Sequence, residues 1–271
     1  IFKNMKILVD AANGANYKIT PMLLEELGAE VIRINCDPDG FNINVNSAVL
    51  NQSLFKKYAE EHKFDFCAAV DGDGDRLVLA DADGIVFDGD DILYLLAKSN
   101  LERNVNGSNA VVGTDMTNQG VADALAKHNI DLIRSKVGDK YISRELVERD
   151  LILGAETSGH IIQRNYSESG DANIALIQVL TAIQESGISL KEVSSEISKY
   201  AHNLESIAVK DKTIIEKEEN QKALNAVKEK FPSARINIRA SGTESKIRIM
   251  VESKDDKQNA QVLREIKSLI T

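Results

Sequence analysis

Three carboxylates alternate with two glycines in Asp71-Gly72-Asp73-Gly74-Asp75, and a guanidinium, Arg76, follows at once. Anions at i, i+2 and i+4 converge only where the chain turns tightly, and glycine permits that turn. Once converged they repel one another unless a cation neutralises them. A hard divalent ion with oxygen ligands suits such a set, and Mg2+ fits it. Three protein oxygens leave positions open for water or a phosphate oxygen, which is the arrangement phosphoryl transfer needs. We therefore expect Asp71, Asp73 and Asp75 to be metal ligands. A calcium loop of the EF-hand kind requires glycine at its sixth place and an acid at its twelfth. Those places hold Arg76 and Ala82, which excludes it.

Two further loops carry chemistry. Gly154-Ala155-Glu156-Thr157-Ser158-Gly159-His160 follows the apolar run Leu151-Ile152-Leu153. Ligands bind where the strands of an α/β sheet end. There Glu156, Ser158 and His160 can hydrogen-bond several sugar hydroxyls, and the imidazole can move protons near neutral pH. Near the C-terminus, Arg239-Ala240-Ser241-Gly242-Thr243-Glu244 lies between two strand-like runs. Its amides, the hydroxyls of Ser241 and Thr243 and the Arg239 guanidinium describe a phosphate cradle. Alternation along the second run brings Arg248 back to the same end. Each loop taken singly also reads as an ordinary polar turn, the first of them solvated, the second with a locally satisfied histidine.

The elements that must position these loops are legible as an alternation of strand and helix patterns. Strands are expected at 5–10, 30–36 and 64–70, with helices at 20–28 and 47–62 between them. Thr20 caps the first helix, Pro21 opens it and Gly28 stops it. Runs 77–81 and 85–87 flank the turn Ala82-Asp83-Gly84 as a hairpin. A second set follows. Asp88 caps a helix through 101, strands occupy 110–114, 131–136 and 151–155, and helices occupy 118–128 and 138–149. Helices at 171–185 and 190–200 close it, the latter with the capping box Ser189 and Glu192. Beyond 203 the order changes to strand, charged helix (214–231), strand (235–238), loop, strand (246–252) and helix. The expectation is two α/β domains, 1–85 and 86–203, with mostly parallel buried strands, followed by a smaller α+β domain, 204–271.

Composition limits the partners. Among 271 residues, 33 basic and 42 acidic side chains leave a formal charge of −9. Such a surface repels nucleic acid and anionic membranes, so a phosphorylated ligand needs a local basic site. No apolar run approaches the ~18 residues of a membrane span. Cys36 and Cys67 sit in apolar runs without metal-ligand spacing, which points to reduced thiols and a cytoplasmic address. The opening residues are no signal peptide and pass almost directly into a strand.

In this order, the three loops resemble those of the α-D-phosphohexomutases, along essentially the whole chain. The resemblance is strongest to the phosphoglucosamine mutase branch, through VDAANGAN (9–16), DPDGFNIN (37–44), VGTDMTNQG (112–120), KVGDKYI (136–142), GAETSGH (154–160) and RASGTESKIRIMVE (239–252). Ser245, Lys140 and Ala240 depart from the proline, arginine and lysine common there. The resemblance implies Mg2+ at the DGDGDR loop, sugar contacts from Glu156, Ser158 and His160, and a phosphate grip by Arg239, Ser241, Gly242, Thr243 and Arg248. It further implies Arg76 as partner of the phosphoryl group, and Lys136 and Asp139 along the same cleft. The substrate would be a hexosamine phosphate, passing through a sugar bisphosphate. That reaction also needs a phosphoserine in a Ser-His-Asn-like stretch, which these residues lack. The expectation is that the chain corresponds to the family's second to fourth domains and is inactive alone. Two readings of other classes stay open. In a haloacid-dehalogenase-type phosphatase, Asp71 would be the nucleophile, with Lys136 and Gly138-Asp139 imitating the later motifs. In a pure binding module, sugar phosphate would be held and not transformed.

Overall fold

Short, continuously apolar runs become strands buried on both faces. The computed structural model of the chain describes residues 1–242 and 244–270. Packing divides them into two units, Ile1–Thr117 with Val121–Ser198, and Asn118–Gly120 with the chain from Lys199 onward.

The first unit opens with β1 (Lys6–Asp10), α1 (Ile19–Glu26), β2 (Glu30–Ile34), α2 (Ser53–Glu61), β3 (Phe66–Val70), β4 (Leu77–Asp81) and β5 (Val86–Phe87). Their sheet runs β2-β1-β3-β4-β5, with β1 parallel to both neighbours and β4 antiparallel to β3 and β5. Alternation assigns the faces. Leu8, Cys67, Ala69 and Val78 pack with Phe55 and Tyr58 of α2, while Ile7, Val9, Ala68 and Val70 enter a larger core on the other side. Burial pushes the Cys67 thiol well up, which leaves it unreactive.

The same unit continues through α3 (Gly89–Glu102), β6 (Ala110–Thr114), α4 (Gln119–Ala126), β7 (Asp131–Ser135), α5 (Asp139–Glu148), β8 (Leu153–Ala155), β9 (Ile161–Gln163), α6 (Ala172–Ser186) and α7 (Leu190–Glu196). The second sheet runs β7-β6-β8-β9, parallel except for β9. Helix α3 is apolar on almost every side and buried from Gly89 to Ala97. It lies in the larger core with Leu176 and Val179 of α6, Val111 of β6 and Leu153 of β8, so one core serves both sheets. Asp88 caps α3 with a reciprocal bond to Asp91, and Ser189 caps α7 likewise with Glu192.

In the second unit, β10 (Ala201–Ala208), β11 (Arg235–Ala240) and β12 (Lys246–Ser253) form an antiparallel sheet with β12 in the middle. Helices α8 (Glu218–Lys230) and α9 (Asp256–Ile270) pack Leu224, Val227, Val262 and Ile266 onto Ile247, Ile249 and Val251 of β12.

Four expectations shift locally. The helix foreseen over 47–62 starts only at Ser53, because the Ala48 amide donates to Asp10 Oδ2 at 2.7 Å and holds that stretch out of a helix. The helix foreseen over 214–231 breaks at extended Lys217 into a 3-10 turn, Lys212–Glu216, and α8. The last helix of the second set stops at Glu196, where Ile197 turns extended and stays in the core. Thr20 lies inside α1, not at its cap, and its hydroxyl donates to Asn173 Oδ1 at 2.6 Å.

Candidate active site

Strand β3 ends at Val70 and the chain returns as β4 at Leu77, paired opposite it, so residues 71–76 form the connection of a hairpin. One oxygen of Asp71, Oδ1, organises that connection by accepting from the amides of Gly74, Asp75 and Arg76 at 3.2, 3.2 and 3.1 Å. Its other oxygen lies 3.6 Å from Arg76 Nε. Asp71, Asp73 and Asp75 each bring an oxygen to within 4.8 Å of the others. Burial, together with the charges of Asp75 and Asp73 and against the Arg76 amide bond, pushes the Asp71 carboxyl up to about 6. Asp75 Oδ1 is buried without a hydrogen-bond partner. Three converging carboxylates and an orphaned oxygen match the donor set of a hard divalent cation. Among the described residues no other group of three metal-ligating side chains comes together.

A shell of main chain fixes this loop. The amide of Ala15 donates to Gly72 O at 2.8 Å and that of Ala172, the first residue of α6, to Gly74 O at 3.1 Å. Gly74 has φ +79, and a Cβ there would strike the Asn16 side chain. Asn16 in turn accepts from Asn173 Nδ2 at 3.2 Å. Behind the shell sits Asp10, fully buried and, among the described residues, in no salt bridge. It accepts from Ala12 N, Asn35 Nδ2, Ala48 N and Tyr58 Oη at 3.0, 2.9, 2.7 and 3.0 Å. These four donors satisfy both oxygens of a side chain that has lost its water. Ala12, Asn13, Asn35, Asn44 and Asn46 around it all have φ between 49 and 62. Asparagine tolerates that left-handed region, and Ala12 bears a cost of about 1–2 kcal/mol there. Asp10 and Asn16 are thus site-forming residues that spacing alone did not reveal. Their signal was the string VDAANGAN, noticed without a role.

The second loop is a hairpin between β8 and β9, closed by Glu156 N to His160 O at 2.9 Å and Gly159 N to Glu156 O at 3.0 Å. Strand β9, the short return, was not foreseen. Glu156 Oε1 accepts from Gly138 N at 2.7 Å, and Glu156 Oε2 from Ser158 Oγ at 3.2 Å. This ties the hairpin to the 136–139 turn, where Lys136 and Asp139 are exposed. Thr157 Oγ1 donates to Asp90 Oδ1 at 2.9 Å. The hairpin also joins the acidic loop. Leu77 N donates to Gly159 O at 2.9 Å, Arg76 and His160 form an antiparallel bridge, and His160 Nδ1 lies 3.0 Å from Asp75 Oδ2. Glu156 and Ser158 therefore cluster with the Lys136 turn, whereas His160 clusters with Asp71, Asp73, Asp75 and Arg76.

In the second unit, Arg239 of β11 stands directly opposite Arg248 of β12. Like charges in that register destabilise a sheet unless an anion lies between or beside them. The connecting loop starts at buried Ser241, whose amide donates to Lys246 O at 2.8 Å and whose hydroxyl accepts from Glu244 N at 3.3 Å. Lys212 Nζ donates to Ser241 O at 2.8 Å. Gly242 is exposed, and Thr243 lies outside the described residues. Glu244 receives Lys246 at 2.6 Å and Arg248 at 3.5 Å, and the Lys246 bond holds its carboxyl below the usual range. The two guanidiniums, with Lys246 beside them, give this end of the sheet a local cluster of positive charge, the chemistry that favours a phosphate or carboxylate ligand.

Known proteins resemble this chain along nearly all of its length. Models of the phosphoglucomutase/phosphomannomutase family match three successive segments: α/β/α domain II over residues 2–84, α/β/α domain III over 88–200 and the C-terminal domain over 204–269. The phosphoglucosamine mutase of Marinomonas sp. (strain MWYL1) is 42% identical over 254 residues, which span 93% of this chain and 56% of that protein. That of Thermodesulfovibrio yellowstonii is 40% identical over 273 residues, 98% of this chain and 60% of the relative. The chain thus spans little more than half the length of these curated relatives. Among solved structures, an N-acetylglucosamine-phosphate mutase in its product complex superposes with a TM-score of 0.79 at 20% identity, over 98% of this chain and 61% of that one. The Aspergillus fumigatus N-acetylphosphoglucosamine mutase, in complex with GlcNAc-6P and magnesium, gives 0.76 at 18%, over 99% and 66%. These two show a shared fold. With three consecutive family domains accounting for nearly all of its length, the chain belongs to the phosphoglucomutase/phosphomannomutase family of α-D-phosphohexomutases.

Proposed function

We propose that the chain supplies the metal, sugar and phosphate sites of a phosphoglucosamine mutase, which interconverts glucosamine 6-phosphate and glucosamine 1-phosphate. The observation that carries this reading is the three-carboxylate loop bonded, main chain to main chain, to the Glu156–His160 hairpin. Asp71, Asp73 and Asp75 would hold Mg2+, which supplies positive charge against a transferring phosphoryl group. Arg76 adds a guanidinium at the same place. Glu156 and Ser158 present carboxylate and hydroxyl to the sugar, with Lys136 and Asp139 beside them. Arg239, Arg248, Ser241, Gly242 and Thr243 hold the phosphate that does not react.

In this reading 1–85, 86–203 and 204–271 are three domains of a cytoplasmic enzyme. No helix among the described residues is long and apolar enough to cross a membrane. The phosphoryl carrier is a serine outside these residues, in keeping with the greater length of the relatives. It would donate to the hexosamine phosphate, and the resulting bisphosphate would return its other phosphoryl group. A phosphatase with Asp71 as nucleophile is disfavoured by the three amides that already occupy Asp71 Oδ1. An amino-sugar preference over glucose or mannose phosphates is supported by the names of the curated relatives, which are phosphoglucosamine mutases.

Titration of the chain with glucosamine, glucose and mannose 6-phosphates in the presence of Mg2+ tests the reading. The amino sugar should bind best, with no turnover and no phosphate release. A preference for mannose or glucose phosphate would move the chain to another branch, and phosphate release would revive the phosphatase.

A further inference from the structure

Lys212 opens the 3-10 turn of the second unit, and its Nζ donates to the carbonyl oxygen of Ser241 at 2.8 Å. Among the described residues it forms no salt bridge, whereas Lys246 and Arg248 both face the Glu244 carboxylate. The base of the Lys212 side chain is fixed. Asp211 caps the turn by accepting from Thr213 N and Oγ1 at 2.9 and 2.7 Å, Ile215 is buried in the core, and Asn220 Nδ2 donates to Ile214 O at 2.8 Å. The loop that Lys212 meets is tied at both ends, by Ser241 N to Lys246 O at 2.8 Å and by Val209 N to Ser245 O at 3.0 Å. In a trans peptide the carbonyl and the following N–H point in opposite directions. With the Ser241 oxygen turned to Lys212, the Gly242 N–H therefore points away from it. That amide makes no hydrogen bond among the described residues, and Gly242 is exposed, with nothing within 4 Å of a Cβ built on it.

From this geometry we infer that Lys212 is a positioning residue: it sets the polarity of the Ser241–Gly242 peptide, so that the loop presents a donor and not an acceptor to an anionic ligand. The inference rests on the reading of residues 239–244 as the phosphate loop. The opposite setting is within reach of the chain. A half-turn of this peptide would carry Gly242 toward positive φ, which glycine accepts without a steric penalty. The ligand would then meet a carbonyl oxygen, whose partial negative charge repels phosphate. An ammonium held on the far side of the peptide favours the donor-outward setting, because the half-turn would break its bond to the oxygen. Lys212 thus shapes the phosphate site from behind, without touching the ligand.

Lys212→Met keeps most of the side-chain length and removes the donor, whereas Lys212→Arg keeps a charged donor. Binding of glucosamine 6-phosphate to the 271-residue chain is followed by NMR for wild type and both variants, with the Ser241 carbonyl carbon and the Gly242 amide as reporters and melting alongside. In the ligand-free methionine variant the Ser241 carbonyl resonance should move. Its affinity should fall about ten- to a hundredfold, and the Gly242 amide, which shifts on binding in the wild type, should no longer respond. The arginine variant should bind within about threefold of wild type and show the wild-type amide shift. Melting and the affinity for unphosphorylated glucosamine should be alike in all three, which a merely structural role would not give. A methionine variant that binds within about twofold of wild type would overturn the inference. So would one that loses affinity while its Gly242 amide still shifts, since charge alone would then be at work, or an arginine variant as weak as methionine. A wild-type chain whose 239–244 amides ignore glucosamine 6-phosphate would instead overturn the phosphate reading, and the ligand-free Ser241 resonance would still report on the Lys212 bond.

Discussion

Gly14 meets the acidic loop backbone to backbone, and Gly14→Ala tests whether that contact sets the metal geometry. Gly14 is not among the glycines with positive φ, so alanine carries no conformational penalty there. The added methyl would stand 2.5 Å from Gly72 Cα and 2.7 Å from its carbonyl carbon. The Gly72 carbonyl oxygen would be nearer still, and ordinary contact begins near 3.4 Å, so one backbone must retreat by about 1 Å. The 11–16 segment has little room to move, being tied to Asp10 on one side and to Asn173 on the other. Most of the displacement should fall on Gly72, which separates Asp71 from Asp73. Overpacking of this kind costs about 1–3 kcal/mol. Mg2+ tolerates little departure from ligand distances of about 2.0–2.1 Å. We expect Mg2+ binding at least about tenfold weaker, worth ~1.4 kcal/mol, and a stability loss of about 1–3 kcal/mol. Calorimetric titration and urea denaturation of the metal-free chain measure the two separately. A variant with wild-type affinity and an unchanged midpoint would refute the claim that this contact shapes the site.

Three other outcomes follow from the same geometry. Asp10→Asn replaces one oxygen that accepts two hydrogen bonds by an NH2 that faces the same two donors, and should destabilise the chain by about 2–4 kcal/mol, read by urea denaturation. A loss below ~1 kcal/mol would mean the hub is not strained by it. Because the Asp71 carboxyl is pushed up to about 6, protons compete with the cation below that pH. Mg2+ affinity should be flat above it and fall as pH drops through it. The metal-free chain should show the opposite trend, since a carboxyl raised in the fold adds stability below its unfolded value and loses it as pH rises toward 6. Equal Mg2+ affinity at pH 5 and pH 7.5 would contradict the assignment. Arg239→Ala should weaken binding of hexose phosphates about ten- to a hundredfold, from a charge-assisted bond of about 1.5–3 kcal/mol, while leaving the unphosphorylated sugar unchanged. Equal losses for both would remove the loop as the phosphate site.

The strand and helix alternation was readable because buried strands are continuous apolar runs and the helix caps are chemically explicit, as at Asp88 and Ser189. What escaped was decided by tertiary contact. Nothing in 47–52 announces that Ala48 will be held by Asp10 and kept out of α2. β9 is three residues long, too short for a period to show. The DGDGDR loop was legible because clustered charge needs an explanation, whereas its shell is made of amides and glycines that carry no such signal. For His160 the residue type suggested proton transfer, but only the fold places its Nδ1 3.0 Å from Asp75 Oδ2.

Several loops of the first unit approach one another so closely at glycine that a Cβ would strike the neighbouring main chain: Gly14 against Gly72, Gly89 against Glu156 and Gly159, Gly159 against Leu77. Their paths are therefore written in backbone, and a side chain at the tip can be exchanged without redrawing the curve that carries it. Ser158 is exposed at such a tip, with Lys136 and Asp139 exposed on the neighbouring turn. A library randomised at these three positions should retain the fold in most members and vary chiefly in which hydroxyl or amine it recognises. On the proposed reading, new substrate preferences would be reached by short mutational paths that leave the three-carboxylate loop untouched.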